Sequence, residues 1–154
     1  MNEICLSVLT HFFAIRRNIH YDNQRLKYEV NFMARILIID DSPSQLYGMQ
    51  KIVEKLGHET ILTEDGKEGI QIAREQLPDL ILMDVVMPDL NGFQATRKIS
   101  KDERTAHIPI IIVTTKKLET DRVWGLRQGA KEYLVKPVTD KALKQVLEAH
   151  LPQS

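Results

Sequence analysis

Short apolar runs alternate with segments of helical periodicity along residues 33–154. The runs are rich in branched residues, which is typical of buried parallel strands. Between them, apolar positions recur three and four residues apart, as on an amphipathic helix. Five strand–helix repeats predict a doubly wound parallel α/β sheet with helices on both faces. The expected strands are 35–40, 58–63, 79–84, 110–114 and 131–135, and the expected helices are about 43–56, 69–76, 93–101, 118–128 and a last one after residue 139.

Several boundaries of these elements carry their own signals. Ser42 is a suitable N-cap, Pro43 fits the first helical position, and Gln45 can complete a capping box. Thr139 is expected to cap the last helix. The turn formers of segment 85–92 predict a loop between the third strand and the third helix.

Residues 1–32 differ from the rest of the chain. Segment 4–15 is mildly apolar, and the basic pair Arg16–Arg17 follows it rather than precedes it, unlike in a secretory signal. We interpret Met33 as a plausible natural start, with 1–32 as upstream sequence or a poorly packed appendage and 33–154 as one domain. The alternative is an amphipathic helix over 3–17 that touches a partner or a membrane.

The overall composition excludes several classes of protein. Lysine and arginine number 21 and so do aspartate and glutamate, so overall charge gives no indication of nucleic-acid binding. The single cysteine, Cys5, excludes an intramolecular disulfide and favours a reducing compartment, so we expect the cytoplasm. No apolar run approaches the roughly 20 residues that span a membrane.

Polar residues close four of the five predicted strands. Asp40 and Asp41 follow the first strand, Asp84 the third, Thr114 the fourth and Lys136 the fifth. Each alone would pass for a cap, a turn residue or a surface lysine. The carboxyl ends of parallel strands share one edge of a sheet, however, so we expect all five side chains to meet at one ligand site.

The chemistry of such a cluster favours a divalent cation and a phosphoryl group. Three neighbouring carboxylates repel one another unless a counter-charge is present, and Mg²⁺ prefers oxygen ligands. The central Asp84 can then act as a nucleophile and form an acyl phosphate. Lys136 and the Thr114 hydroxyl would stabilise the charge on the transferred group.

With these residues in place, segment 34–151 resembles the receiver domain of two-component response regulators. The resemblance is carried by Ile39–Ser42, by Asp84 with Met87–Gly92, by Thr114 and by Lys136–Pro137. It implies a (βα)5 flavodoxin-like fold with strand order 2-1-3-4-5. It also implies that Asp84 accepts a phosphoryl group from a histidine kinase, and that the Lys136–Pro137 bond is cis.

The resemblance assigns further roles within the site. Asp41 would bind Mg²⁺ directly and Asp40 through water, with Asp84 and the backbone carbonyl of Val86 as further ligands. Thr114 and Lys136 would contact the phosphoryl group. Such a protein is a phosphoacceptor that catalyses its own phosphorylation and dephosphorylation rather than an enzyme acting on a separate substrate.

Signalling in the family couples the threonine to an aromatic residue on the fifth strand. Tyr133 stands where that aromatic belongs, so Thr114 and Tyr133 are the expected switch residues; the alternative is a core tyrosine that does not move. Val86, Thr115 and Lys116 depart from common family choices, and we expect them to alter how fast the acyl phosphate hydrolyses. Trp124 fits a partner-binding surface or packing against the sheet equally well.

Only four residues follow the last predicted helix, so the expected output is protein–protein contact by the receiver itself. The motifs resemble in particular the receivers of type IV pilus chemosensory systems, which control twitching motility. We therefore expect a CheA-like histidine kinase and a phospho-dependent protein target as partners, and a monomer. A phosphate sink or relay remains an alternative. A Mg²⁺-dependent phosphohydrolase is disfavoured, because aspartyl phosphatases usually carry a second aspartate where this chain has Val86.

Overall fold

The computed structural model describes residues 15–19 and 28–152. Within these, strands and helices alternate from residue 35 onward, as the hydrophobic pattern predicts. The strands are β1 (Ile15–Ile19), β2 (Tyr28–Phe32), β3 (Arg35–Ile39), β4 (Glu59–Thr63), β5 (Leu80–Met83), β6 (Ile110–Thr114) and β7 (Glu132–Val135). The helices are α1 (Pro43–Lys55), α2 (Gly66–Gln76), α3 (Gly92–Lys101), α4 (Glu119–Arg127) and α5 (Asp140–His150).

Strands β3 to β7 form one parallel sheet in the order β4-β3-β5-β6-β7. Counted from β3, this is the order 2-1-3-4-5, so the predicted doubly wound (βα)5 fold is confirmed. The order reverses between β3 and β5, and in such sheets ligands bind beside that point, at the carboxyl ends of the strands.

The central strands are buried on both faces, which explains their unbroken apolar runs. On one face, Ile36 and Ile38 of β3 pack with residues of α1 and α5. On the other, Leu37 and Ile39 pack with residues of α2 and α3. These two cores hold the strand ends, and the polar residues that follow them, in fixed positions.

Two helix starts differ from the sequence prediction. The Ser42 side chain makes no capping bond, because its hydroxyl lies 3.1 Å from that of Ser44 instead. Helix α2 begins at Gly66 rather than Gly69, because Asp65 acts as its N-cap and accepts hydrogen bonds from two backbone N–H groups. The predicted cap Thr139 does accept from the N–H of Ala142.

Helix α4 contacts the sheet through a glycine. A Cβ on Gly125 would lie 2.7 Å from Cδ1 of Ile112 and 3.3 Å from Cδ2 of Tyr133. Gly125 is the buried residue of this helix, whereas Trp124 is 51% exposed. The structure therefore favours the surface position for Trp124 over packing against the sheet.

Strands β1 and β2 pair antiparallel, with Ile15 opposite Phe32. This hairpin was not predicted, because the sequence there lacks a clear period. The alternative of a helix over 3–17 is wrong for residues 15–17, which lie in β1, while residues 3–14 fall outside the described part. No helix among the described residues is long and apolar enough to cross a membrane. The division at residue 33 stays a prediction.

Candidate phosphoacceptor and metal site

The carboxyl edge of the sheet carries a cluster of three carboxylates. Asp40 and Asp41 follow β3, and Asp84 follows β5 at the neighbouring position. One side-chain oxygen from each lies within 4.8 Å of the others. Asp40 and Asp84 are buried and Asp41 is exposed, so the cluster opens to solvent on one side.

Lys136 supplies the positive charge nearest to these carboxylates. Its Nζ lies 2.5 Å from Oδ2 of Asp40 and 3.5 Å from Oδ1 of Asp84. Its backbone N–H donates to the carbonyl of Thr114, which fixes the end of β7 against β6. The Lys136–Pro137 bond is cis, as the resemblance implies. One lysine against three carboxylates leaves an excess of negative charge among oxygen donors, an environment that fits Mg²⁺.

Burial and charge both act on the nucleophile candidate. Burial raises the pKa of Asp84 above its usual value of 3.8, and the neighbouring Asp40 carboxylate raises the pKa further. Lys136 opposes both effects. Lys136 therefore stabilises the charged form of Asp84, which burial and the Asp40 carboxylate disfavour.

The loop after Asp84 is tightly closed by a glycine. A Cβ on Gly92 would lie 1.9 Å from the Asp84 carbonyl oxygen, so no other residue fits at this position. The Gly92 N–H donates to the carbonyl of Val85, and Asp89 adopts a φ of 61° within the turn. The sequence identified Gly92 only as a turn former, because its close approach depends on tertiary structure.

The comparisons with known proteins agree with this geometry. The response regulator receiver domain family matches residues 36–148, most of the chain. This chain belongs to the receiver domain family.

Among curated relatives, Protein PilH of Pseudomonas aeruginosa is 55% identical over 119 residues, covering 77% of this chain and 98% of PilH. The polar-differentiation response regulator DivK of Brucella ovis is 32% identical over 116 residues, covering 75% of this chain and 94% of DivK. The likeness to PilH spans essentially the whole of that protein, so the chain and PilH share the receiver domain along its full length.

Solved structures give the same fold. The chemotaxis protein CheY4 of Vibrio cholerae matches with a TM-score of 0.73 and 29% identity over 77% of this chain and 99% of that chain. The receiver domain of sensor histidine kinase PA1611 from Pseudomonas aeruginosa matches with a TM-score of 0.72 and 33% identity, over 77% of this chain and 97% of that chain. That structure holds a magnesium ion coordinated in its active-site cleft.

In this receiver, Thr114 and Tyr133 are joined through the backbone of one residue, Lys116. The backbone N–H of Lys116 donates to Oγ1 of Thr114 at 3.3 Å, and the Tyr133 hydroxyl donates to the carbonyl of Lys116 at 2.9 Å. Thr114 is fully buried and Tyr133 is 4% exposed. The sequence identified both residues, but their link through the Lys116 backbone could not be foreseen from spacing.

The side chain of Lys116 reaches the first turn of α4. Its Nζ pairs with Asp121 at the start of α4, at 3.6 Å. Thr115 is exposed and the Val86 side chain is 53% exposed. Val86 and Thr115 are therefore accessible beside the site, while Lys116 links the site to α4.

Proposed function

We propose that this protein is a phosphorylation-controlled switch that receives a phosphoryl group on Asp84 from a CheA-like histidine kinase. The observation that carries the proposal is the buried Asp84 carboxylate with Lys136 at 3.5 Å and two further carboxylates beside it. This arrangement suits transfer of a group that is itself strongly negative.

The transfer step uses residues already in position. An Oδ atom of Asp84 attacks phosphorus, the O–P bond forms as the P–N bond of the kinase phosphohistidine breaks, and the imidazole leaves with the electron pair and takes up a proton. Lys136 is placed to move from Asp40 toward the incoming phosphoryl oxygens. The Thr114 hydroxyl, released from the Lys116 N–H, would donate to another oxygen.

Asp40, Asp41, Asp84 and the carbonyl of Val86 would hold Mg²⁺, with Asp40 acting through water. The bound ion would neutralise charge that develops on the phosphoryl oxygens. With Mg²⁺ bound, the ion would balance the charge of Asp40, and Lys136 would be free to contact the phosphoryl group. The shared pairing of Lys136 with both aspartates supports this exchange of partners.

The signal would leave the site through Lys116. Movement of Thr114 toward the phosphoryl group removes the acceptor of the Lys116 N–H, and the Lys116 carbonyl holds Tyr133. On β7 and on the neighbouring α4 with its N-cap Leu118, three apolar side chains are exposed: Leu118 is 66%, Trp124 51% and Val135 42% exposed. We propose that a target protein binds this surface and distinguishes the two states.

The similarity to PilH supports a role in type IV pilus and twitching-motility control. We propose that the protein works as a monomer in the cytoplasm, where it meets its kinase. A phospho-dependent target is favoured by the exposed apolar residues, because a protein that only drains phosphate from a kinase needs no such surface.

Intact mass spectrometry after incubation with acetyl phosphate tests the proposal. We expect a Mg²⁺-dependent gain of one phosphoryl group that Asp84→Asn abolishes and Asp89→Asn retains. Asp89 is the matched control, because it is an exposed carboxylate in the same loop. Phosphotransfer from a CheA-like kinase is the second arm. Failure of both arms would overturn the proposal.

A further inference from the structure

A second concave surface lies between α2 and α3, on the face of the sheet that these helices cover. It is an open groove of about 850 Å³. Its floor is formed by Ile70 and Leu90, which are only 6% and 8% exposed, and its walls are basic. The basic residues are Lys67 and Arg74 on α2, and Arg97, Lys98 and Lys101 on α3.

Most of this positive charge is not neutralised by the protein. Asp102 is the acidic residue of the groove, and its carboxylate already binds Arg74 at 2.8 Å and Arg104 at 3.1 Å. Those two arginines lower the pKa of Asp102, so it stays ionised and committed to them. Within the described part of the chain, the other four cations of the groove make no ion pair or side-chain hydrogen bond.

Helix electrostatics do not account for the whole arrangement. Lysines in the last turn of a helix are favoured by its dipole, which suits Lys98 and Lys101. Lys67, in contrast, lies in the first turn of α2, where a cation is disfavoured. Arg97 and Lys101 are four residues apart on one helix face, where like charges repel. A chain with zero net charge therefore concentrates unpaired positive charge in one groove.

The spread of the charges indicates the kind of ligand. Residues 94 to 101 of α3 extend over about 10 Å along the helix axis, so the cations form a row rather than a point. A small anion such as phosphate needs donors that converge on one point. The basic side chains of this groove are instead spread along two helices, which disfavours such a ligand. The groove-lining residues include no aromatic ring on which a nucleobase would stack. A row of cations matches the carboxylates that an acidic helix presents along one side.

We infer that the α2–α3 groove binds an acidic helix of a partner protein. The carboxylates of that helix pair with Lys67, Arg97, Lys98 and Lys101. The groove is separate from the apolar surface of α4 and β7, so this partner is additional to the target of the switch.

Fluorescence anisotropy with the full chain tests the inference. The probe is a labelled peptide of about 18 residues, roughly five turns, with glutamates along one face. We compare Lys98→Glu/Lys101→Glu with the control Lys141→Glu/Lys144→Glu. The control reverses two exposed lysines with the same spacing on α5, across the sheet. If circular dichroism shows that charge reversal impairs folding, Lys98→Gln/Lys101→Gln replaces the charge-reversal variant in this comparison.

The groove variant should weaken peptide binding at least about tenfold while the control leaves it nearly unchanged, and added salt should weaken binding to the unaltered protein. A peptide with its glutamates replaced by glutamine should bind much more weakly. The inference is overturned if the peptide does not bind, if both double variants weaken its binding equally, or if the glutamine peptide binds as well. Preferential binding of a short DNA duplex in this groove would also overturn it.

Discussion

At the level of a single residue, the environment of Asp84 disfavours the negative charge that its proposed chemistry requires. Burial and the neighbouring Asp40 make its negative charge unfavourable, yet nucleophilic attack needs that charge. Lys136 neutralises part of the negative charge, but one lysine cannot balance three carboxylates. The site therefore stores electrostatic strain that a divalent cation would relieve.

This strain predicts that Asp84→Asn stabilises the metal-free protein at neutral pH, by about 1–2 kcal/mol. A carboxyl whose pKa is raised on folding adds stability at pH below its unfolded value of 3.8, and that stability is lost as pH rises through the folded pKa. The free energy of unfolding of Asp84→Asn relative to the unaltered protein should therefore increase from pH 4 to pH 7. Urea denaturation with a chelator measures this.

Asp89→Asn is the control for the same experiment, because Asp89 is exposed in the same loop and asparagine tolerates its positive φ. Equal stability of Asp84→Asn and Asp89→Asn at every pH would contradict the electrostatic account of the site.

Sequence alone could predict that Asp40, Asp84 and Lys136 come together, because the ends of parallel strands meet at one edge of a sheet. It could not predict that Lys136 pairs with Asp40 more closely than with Asp84, since side-chain conformation decides that. The link from Thr114 to Tyr133 through the Lys116 backbone depends in the same way on the path of the loop.

At the level of elements, two helix glycines have opposite environments. Gly48 on α1 is exposed, and a Cβ there would meet nothing within 4 Å. A Cβ on Gly125 of α4 would lie 2.7 Å from Ile112 and 3.2 Å from Phe93. Gly48→Ala should stabilise the protein by about 1 kcal/mol through helix propensity, whereas Gly125→Ala should destabilise it by about 1–3 kcal/mol through overpacking.

Each glycine variant is the control for the other, because both replace a glycine by alanine in a helix interior. Urea denaturation of the two proteins gives the comparison. If Gly125→Ala stabilised the protein as much as Gly48→Ala does, this would contradict the close packing of α4 against the sheet at Gly125.

Helices with a clear apolar stripe could be predicted from the sequence with nearly correct bounds. The start of α2 was missed because Asp65 caps the helix from a position that also suits a turn. Helix α4 has a weak stripe, and its contact with the sheet through Gly125 has no signature in a hydrophobic pattern.

At the level of the whole molecule, the switch should be visible through the single tryptophan, Trp124. Beryllofluoride with Mg²⁺ imitates the phosphoryl group and should change its emission. Tyr133→Phe removes a hydrogen bond worth about 1 kcal/mol, which shifts a two-state equilibrium roughly fivefold. The amplitude or midpoint of the emission change should therefore alter in Tyr133→Phe.

Tyr47→Phe is the control, because Tyr47 is an exposed tyrosine on α1. An identical response of Tyr133→Phe and Tyr47→Phe would remove Tyr133 from the switch and leave it as a core aromatic residue.

Features that depend on distant segments were the ones the sequence did not reveal. The basic groove joins Lys67 to Lys101, which stand on different helices, and overall charge gives no indication of it. The pairing of β1 with β2 was missed because the segment lacks an alternating pattern.

The central claim is that Asp84 is the phosphorylated residue, and chemical trapping tests it most directly. Borohydride reduces an aspartyl phosphate to homoserine, so the phosphorylated protein is reduced, digested and mapped by mass spectrometry. Homoserine should appear at position 84 only, and only when Mg²⁺ was present. Homoserine at position 40, 41 or 89, or none in protein that carries a phosphoryl group, would contradict the account.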